Sequence, residues 1–214
     1  MPVEHPVTIG IVGAGHIGGT LAERFIAVGH EVTIANSRGP DTLQELVGRL
    51  GPRARAATAE EAMRDGDVVV VSIPFGRYGE LPTAGVADKV VIDTCNYYPQ
   101  RDGRFEELER DRTTSSELIA RHLDGARVVK AFNAIYWQHL RDDGRPPGAP
   151  DRIGIPISGD DPEAKRIVVA LIDQIGFDAI DAGPLAEGGR KHQPGTPVYT
   201  ADLSSEELRR ALAT

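Results

Sequence analysis

Cysteine is almost missing from this chain: Cys95 stands alone among 214 residues, so no internal disulfide can staple the fold. Long apolar runs are missing too. A membrane-spanning helix needs about 20 apolar residues, whereas the longest runs here, such as Val68 to Val71, have strand length. Basic residues are outnumbered, 24 against 32 acidic, and the net charge of −8 denies the chain the phosphate-neutralising field of a nucleic-acid binder. The six histidines form no HxH or HxxE grouping and no cysteine cluster accompanies them, so no metal site is expected. The opening MPVEHPVT carries neither a charged n-region nor an apolar h-region, which sets the expectation of a cytoplasmic protein. Internal repeats and low-complexity tracts are likewise lacking.

What the sequence does contain is glycine at chosen places. Val7 to Val12 is a short β-branched run between Pro6 and Gly13, the pattern of a strand buried on both faces. Gly13, Gly15 and Gly18 then spell GxGxxG, and from Ile17 onward apolar residues recur at helical spacing through Leu21, Phe25 and Val28. Each glycine serves a physical need. Gly13 makes the tight turn, Gly15 lets backbone approach a pyrophosphate, and Gly18 allows helix to pack closely on strand. The N–H groups at the helix start and its positive dipole end hold phosphate without a cationic side chain. A dinucleotide site is predicted.

Which dinucleotide follows from the next strand end. An acidic residue about 20 positions past the fingerprint takes the ribose hydroxyls of NAD; here that place reads Asn36-Ser37-Arg38. No carboxylate is present to repel an extra phosphate, the Arg38 guanidinium can fork onto a 2′-phosphate, and Ser37 adds a hydroxyl donor. NADP(H) is therefore the expected cofactor.

Strands and helices alternate along the rest of the chain. Val32 to Ala35, Arg55 to Ala57, Val68 to Ser72, Val90 to Asp93, Val128 to Phe132, Ile153 to Ile157 and Ala179 to Ala182 read as strands. A helix is predicted from about Asp41 to Leu50, a capping box at Thr114 and Glu117 opens another, and Asp161-Pro162 opens a third. Gly125 and Gly176 punctuate helix ends. The predicted fold is a doubly wound, mainly parallel α/β sheet of Rossmann type. Residues 1–182 form the nucleotide-binding unit; residues 183–214 form an irregular arm and a short helix of the same domain. Two stretches break the rhythm: Arg141 to Pro150, read as a mobile loop or lid, and Gly183 to Ala201, read as the irregular arm. The final helix, Ser205 to Ala213, carries an apolar stripe that a second copy of the chain could cover, or that could fold back on its own sheet.

In an open α/β sheet ligands lie beyond the carboxyl ends of the strands. The fourth strand is followed by Ser72-Ile73-Pro74-Phe75, where Pro74 and Phe75 could wall a ring. After the fifth comes Asn96, a partner for the nicotinamide ribose or amide, and then Tyr97 and Tyr98, whose flat faces suit a planar substrate. The sixth is followed by Lys130 and Asn133, the polar groups best placed to fix a substrate oxygen, with Lys130 able to act as an acid. Against each stands a plainer reading: packing aromatics for Phe75, Tyr97 and Tyr98, a lysine reaching to water for Lys130, and a small buried filler for Cys95. Arg190-Lys191-His192 could grip an anion or form a solvated basic turn.

Taken together, GIVGAGHIGGTLA, NSRGP, SELIARHLDGARVVKAFN, IPISGDDPEAK and DAGPLAEGGR resemble the NADPH-dependent oxidoreductases that reduce the deazaflavin coenzyme F420. The resemblance implies direct hydride transfer between nicotinamide and deazaflavin at the sheet's carboxyl edge, with the protein supplying position. It implies Gly13, Ala14, Gly15, His16, Ile17 and Gly18 on the pyrophosphate and Ser37 with Arg38 on the 2′-phosphate. It also implies Ile73-Pro74 and Ala131-Phe132-Asn133 around the two rings, with Gly183-Pro184-Leu185 closing the pocket. After DAGPL, however, the family's leucine-rich helix is replaced by QPGTPVY and a short charged helix.

Three functions stay open on the sequence. One is hydride transfer between NADP(H) and F420. A second is reduction of another small-molecule acceptor, a flavin, a quinone, a small carbonyl or an imine. The third is a non-enzymatic NADP-binding redox sensor. With about 30 residues after the last strand, little chain remains to enclose a small flexible substrate. A flat ring needs only a platform.

Overall fold

The structure, a computed structural model, describes residues 5–213. Eight strands form one sheet: β1 Thr8–Val12, β2 Glu31–Ala35, β3 Ala54–Ala57, β4 Val68–Val71, β5 Val90–Asp93, β6 Arg127–Lys130, β7 Gly154–Gly159 and β8 Asp178–Gly183. Their spatial order is β3-β2-β1-β4-β5-β6-β7-β8. Strand order reverses between β1 and β4, the switch point at which an open α/β sheet leaves a crevice for ligands. The sheet is parallel through β6, but β7 pairs antiparallel with it through Val129↔Gly159 and Lys130↔Ser158, and β8 then runs parallel to β7. Apolar composition says nothing about that reversal.

Alternate residues of the central strands feed two cores. Ile9, Ile11, Val32, Ile34, Val70 and Ile92 face one side, and Val12, Ala35, Val69, Val71 and Val91 face the other. This is why the strands are apolar on both faces.

The helices are α1 His16–Ala27, α2 Gln44–Leu50, α3 Ala59–Asp65, α4 Pro99–Asp102, α5 Glu106–Glu109, α6 Ser115–His122, α7 Trp137–Asp142, α8 Pro162–Gln174, α9 Gly188–Lys191 and α10 Ser205–Leu212. Most of the predicted starts hold. The Thr114 hydroxyl accepts from Glu117 N–H while the Glu117 carboxylate accepts from Thr114 N–H, and Asp161 accepts from the N–H groups of Glu163 and Ala164. The helix predicted from Asp41 begins instead as a 3-10 turn, Pro40–Leu43, and becomes α-helical at Gln44.

The stretch read as a mobile lid is tied down. Arg145 N–H donates to Gly176 O at 2.9 Å, and Arg24 donates to Arg141 O and Ile175 O. The arm after β8 is not irregular throughout, since α9 interrupts it. At the end of the chain α10 packs on β7 and β8, with Leu208 and Leu212 buried beside Ile180 and Val198. The stripe that suggested a homodimer is thus covered by the chain itself.

Candidate functional site

The glycine turn has the geometry its sequence demands. Gly13 has φ +113°, and a Cβ there would lie 2.0 Å from Ser72 O. At Gly18 a Cβ would lie 1.9 Å from Gly13 O, so helix and turn touch backbone to backbone. Gly15 differs: a Cβ built on it meets nothing within 4 Å. The open space there is what a phosphate approaching the backbone requires. Gly15 is also the N-cap of α1 and offers no side chain to that helix, so the first-turn N–H groups remain for a ligand.

A cleft of about 490 Å³ runs from this turn across the carboxyl ends of β1, β2 and β4. It gathers Gly13, Ala14, Gly15, Asn36, Ser37, Arg38, Ser72, Ile73 and Pro74, nine of the residues expected from the sequence. Asn36 Oδ1 accepts from Arg38 N–H at 2.9 Å, and its Nδ2 donates to Thr42 Oγ1 at 2.9 Å, so its amide shapes the turn that carries Arg38. Arg38 is exposed at the cleft rim, and among the described residues no carboxylate pairs with it. Arg77, Glu80, Leu81 and Pro82 also line the cleft. The sequence carried no sign of them beyond an ordinary strand-to-helix turn. His16 turns to the neighbouring groove, where its ring stacks on Trp137 with centroids 4.7 Å apart. Ile17 packs partly buried against the core.

Beyond the fourth strand the expectations divide. Phe75 is fully buried in an aromatic cluster with Tyr78, Tyr97 and Phe105 and walls no ligand. Tyr97 belongs to the same cluster and donates its hydroxyl to Glu109 Oε1 at 2.9 Å. Tyr98 remains half-buried at the strand edge. Ala131 and Phe132 lie in the core, Phe132 with the left-handed φ of 59°, so neither side chain reaches a cofactor. Leu185 is buried in the core beside α6, and Pro184 is exposed; the DAGPL segment does not close the cleft.

Lys130 is the clearest correction. Its side chain is 2% exposed, and its ammonium donates to Cys95 O at 2.9 Å and Ser116 Oγ at 3.1 Å and lies 3.5 Å from Asp93 Oδ2. Asp93 in turn accepts from Ser116 Oγ at 2.6 Å and Cys95 N–H at 2.8 Å. The lysine therefore closes an internal network and presents no acid to a substrate, nor does it reach water. Cys95 is the buried filler that its isolation suggested, with burial pushing its thiol pKa up.

Asn133 and Asn96 clasp each other. Asn133 Nδ2 donates to Asn96 Oδ1 at 3.1 Å, and Asn96 Nδ2 donates to Asn133 O at 2.8 Å, so neither amide is free to hold a nicotinamide amide outright. They anchor the arm instead. Asn133 Nδ2 also donates to His192 O at 2.7 Å, and the buried His192 ring spans Asn133 Oδ1 and Ser158 Oγ, both at 2.8 Å. An amide oxygen only accepts, so Nδ1 carries the proton and Nε2 accepts from the serine. Burial, with Lys130 nearby, lowers the His192 pKa to about 3. Of Arg190-Lys191-His192, read as an anion grip or a solvated basic turn, His192 is buried, Arg190 and Lys191 donate to Asp111 and to Leu212 O, and none of the three lines the cleft.

This network brings in a residue the sequence did not single out. Tyr199 lies in the PVYTA segment, where no periodicity marks it, yet its hydroxyl is 2.5 Å from that of Tyr98 and accepts from Asn96 Nδ2 at 3.4 Å. Among the described residues no group of His, Cys, Asp and Glu is arranged to hold a metal ion, and no helix is long and apolar enough to cross a membrane.

Residues 8–97, spanning the glycine turn, Arg38 and the Ser72–Pro74 turn, match the family model described as NADP oxidoreductase coenzyme F420-dependent. Across 192 residues the chain is 30% identical to the metalloreductase STEAP3 of Rattus norvegicus; this covers 87% of the chain but only 36% of the rat protein. A hypothetical protein from Sinorhizobium meliloti has the same fold, with a TM-score of 0.80, 32% identity and coverage of 94% of this chain and 96% of that one. To the F420-dependent NADP reductase of Methanothermobacter thermautotrophicus it is 30% identical over 206 residues, 88% of this chain and 85% of that protein. The chain belongs to the family of coenzyme F420-dependent NADP oxidoreductases.

Proposed function

We propose that this protein is an NADP(H)-dependent oxidoreductase that passes hydride between the nicotinamide and a deazaflavin of the F420 type. The observation that carries this reading is the cleft that joins the open face of Gly15 to the exposed Arg38. The N–H groups at the start of α1 would hold the pyrophosphate, Ser37 and Arg38 the 2′-phosphate, and Ser72 to Pro74 the nicotinamide end. Bound NADPH supplies the hydride. The chain's part is to fix two rings face to face and to keep water from between them.

The test is NADPH oxidation by the purified protein with oxidised deazaflavin, run beside FMN, menadione and no acceptor. Coupled loss of NADPH and deazaflavin absorbance is the expected result. NADPH binding without deazaflavin turnover would overturn the assignment. Similarity to a metalloreductase is the reason for the flavin and quinone arms: turnover there alone would move the assignment to a different acceptor.

A further inference from the structure

Past the nicotinamide end of the cleft, the strand ends of β5 and β6 carry a small polar platform. Asn96, Tyr98 and Tyr199 form it, and Tyr136 stands near with 51% of its surface exposed. Tyr199 reaches this place because the arm is pinned on both sides. His192 is buried behind it, and Thr200 N–H donates to Ala134 O at 2.9 Å ahead of it.

The protons of the pair can be counted. Each phenol brings one. With the two oxygens 2.5 Å apart, one proton lies between them, and Asn96 Nδ2 already donates to the Tyr199 oxygen. Whichever phenol donates to the other, one O–H is left without an acceptor among the described residues. Both tyrosines are only partly buried. No unpaired charge stands there among the described residues. The nearest guanidinium, Arg101, lies over the Tyr98 ring at 4.9 Å and is already engaged by Asp102 and Asn96 O.

We propose that the Tyr98–Tyr199 hydroxyl pair recognises the hydride acceptor, binding the uncharged end of a flat conjugated ring through one phenolic O–H aimed at a carbonyl oxygen or ring nitrogen. This deepens the function proposed above and rests on it. As hydride arrives at one ring atom, the electron pair it brings appears as negative charge on a conjugated heteroatom, which solvent then protonates. The phenol shares its hydrogen throughout and does not give it up. A donor aimed at developing charge stabilises the transition state more than the ground state. Burial and the Tyr98 hydroxyl push the Tyr199 pKa above the ordinary tyrosine value, which keeps this group a donor across the working range.

Tyr98→Phe, Tyr199→Phe and the double variant test the assignment in the full chain, each with three readouts: NADPH affinity, deazaflavin affinity by fluorescence titration, and kcat and KM for deazaflavin. Loss of one charge-developing hydrogen bond is expected to lower kcat/KM of the double variant about tenfold or more, chiefly in kcat. NADPH affinity and thermal midpoint stay at the parent values. A double variant with the parent's deazaflavin affinity and kcat/KM overturns the proposal. So does a Tyr199→Phe variant that loses NADPH affinity and thermal stability together, since the hydroxyl would then be a structural tie. A parent protein that binds NADPH but neither binds nor reduces deazaflavin overturns the functional reading instead.

Discussion

His192 makes the stability of this protein depend on pH. Its ring is wholly buried, donates to Asn133, accepts from Ser158, and has its pKa lowered from 6.5 to about 3. In the unfolded chain the same imidazole takes up a proton below pH 6.5, while in the folded chain it stays neutral down to about 3. Between those values the unfolded state binds more protons, so stability falls as pH falls, by about 1.4 kcal/mol per unit. Lowering the pH from about 7.5 to about 5 therefore removes about 2 kcal/mol through this one group. A His192→Gln variant retains a donor and an acceptor but cannot titrate. Urea unfolding of both proteins at the two pH values, followed by Trp137 fluorescence, measures the difference. The variant is expected to lose about 2 kcal/mol less than the parent over that interval. Equal losses would refute the claim that the imidazole is held neutral.

Three further outcomes follow from the geometry. Arg38→Ala is expected to raise the NADPH dissociation constant about tenfold or more, at least about 1.4 kcal/mol, while NADH affinity, measured by the same titration, stays unchanged. Gly15→Ala is expected to fold with the parent's thermal midpoint and lose NADPH affinity about tenfold or more, because its Cβ enters open space; Gly18→Ala, whose Cβ would lie 1.9 Å from Gly13 O, is expected to lower the midpoint itself. Lys130→Met leaves Asp93 buried without its cation and is expected to cost about 3–5 kcal/mol in denaturant unfolding, with the NADPH dissociation constant of the folded fraction unchanged.

The nucleotide half was legible because its determinants are local. A positive φ at Gly13, the open face of Gly15 and the place of Arg38 one turn past β2 follow from residue types at fixed spacing along one strand-turn-helix-strand unit. At the strand ends beyond β4, residue type alone misleads. Phe75 and Leu185 differ in nothing visible from ligand-facing apolar residues, and only the packing of α5 and α6 turns them inward. Lys130 follows the same rule in polar form. Its partners Asp93, Cys95 and Ser116 come from a neighbouring strand, the turn after it and the helix laid over them. His192 and Tyr199 were illegible for another reason: their positions depend on β7 running against β6, and an apolar strand carries no mark of its direction.

That reversal also divides the molecule's capacity for change. The cleft is written in the first half of the chain, whereas Tyr199 meets Asn96 across 103 residues of sequence. If the Tyr98–Tyr199 pair recognises the acceptor, substitutions in the arm retune which partner is accepted while leaving the nucleotide grip untouched. Relatives that share the fingerprint can in this way diverge in what they reduce without first relearning how to hold NADP(H).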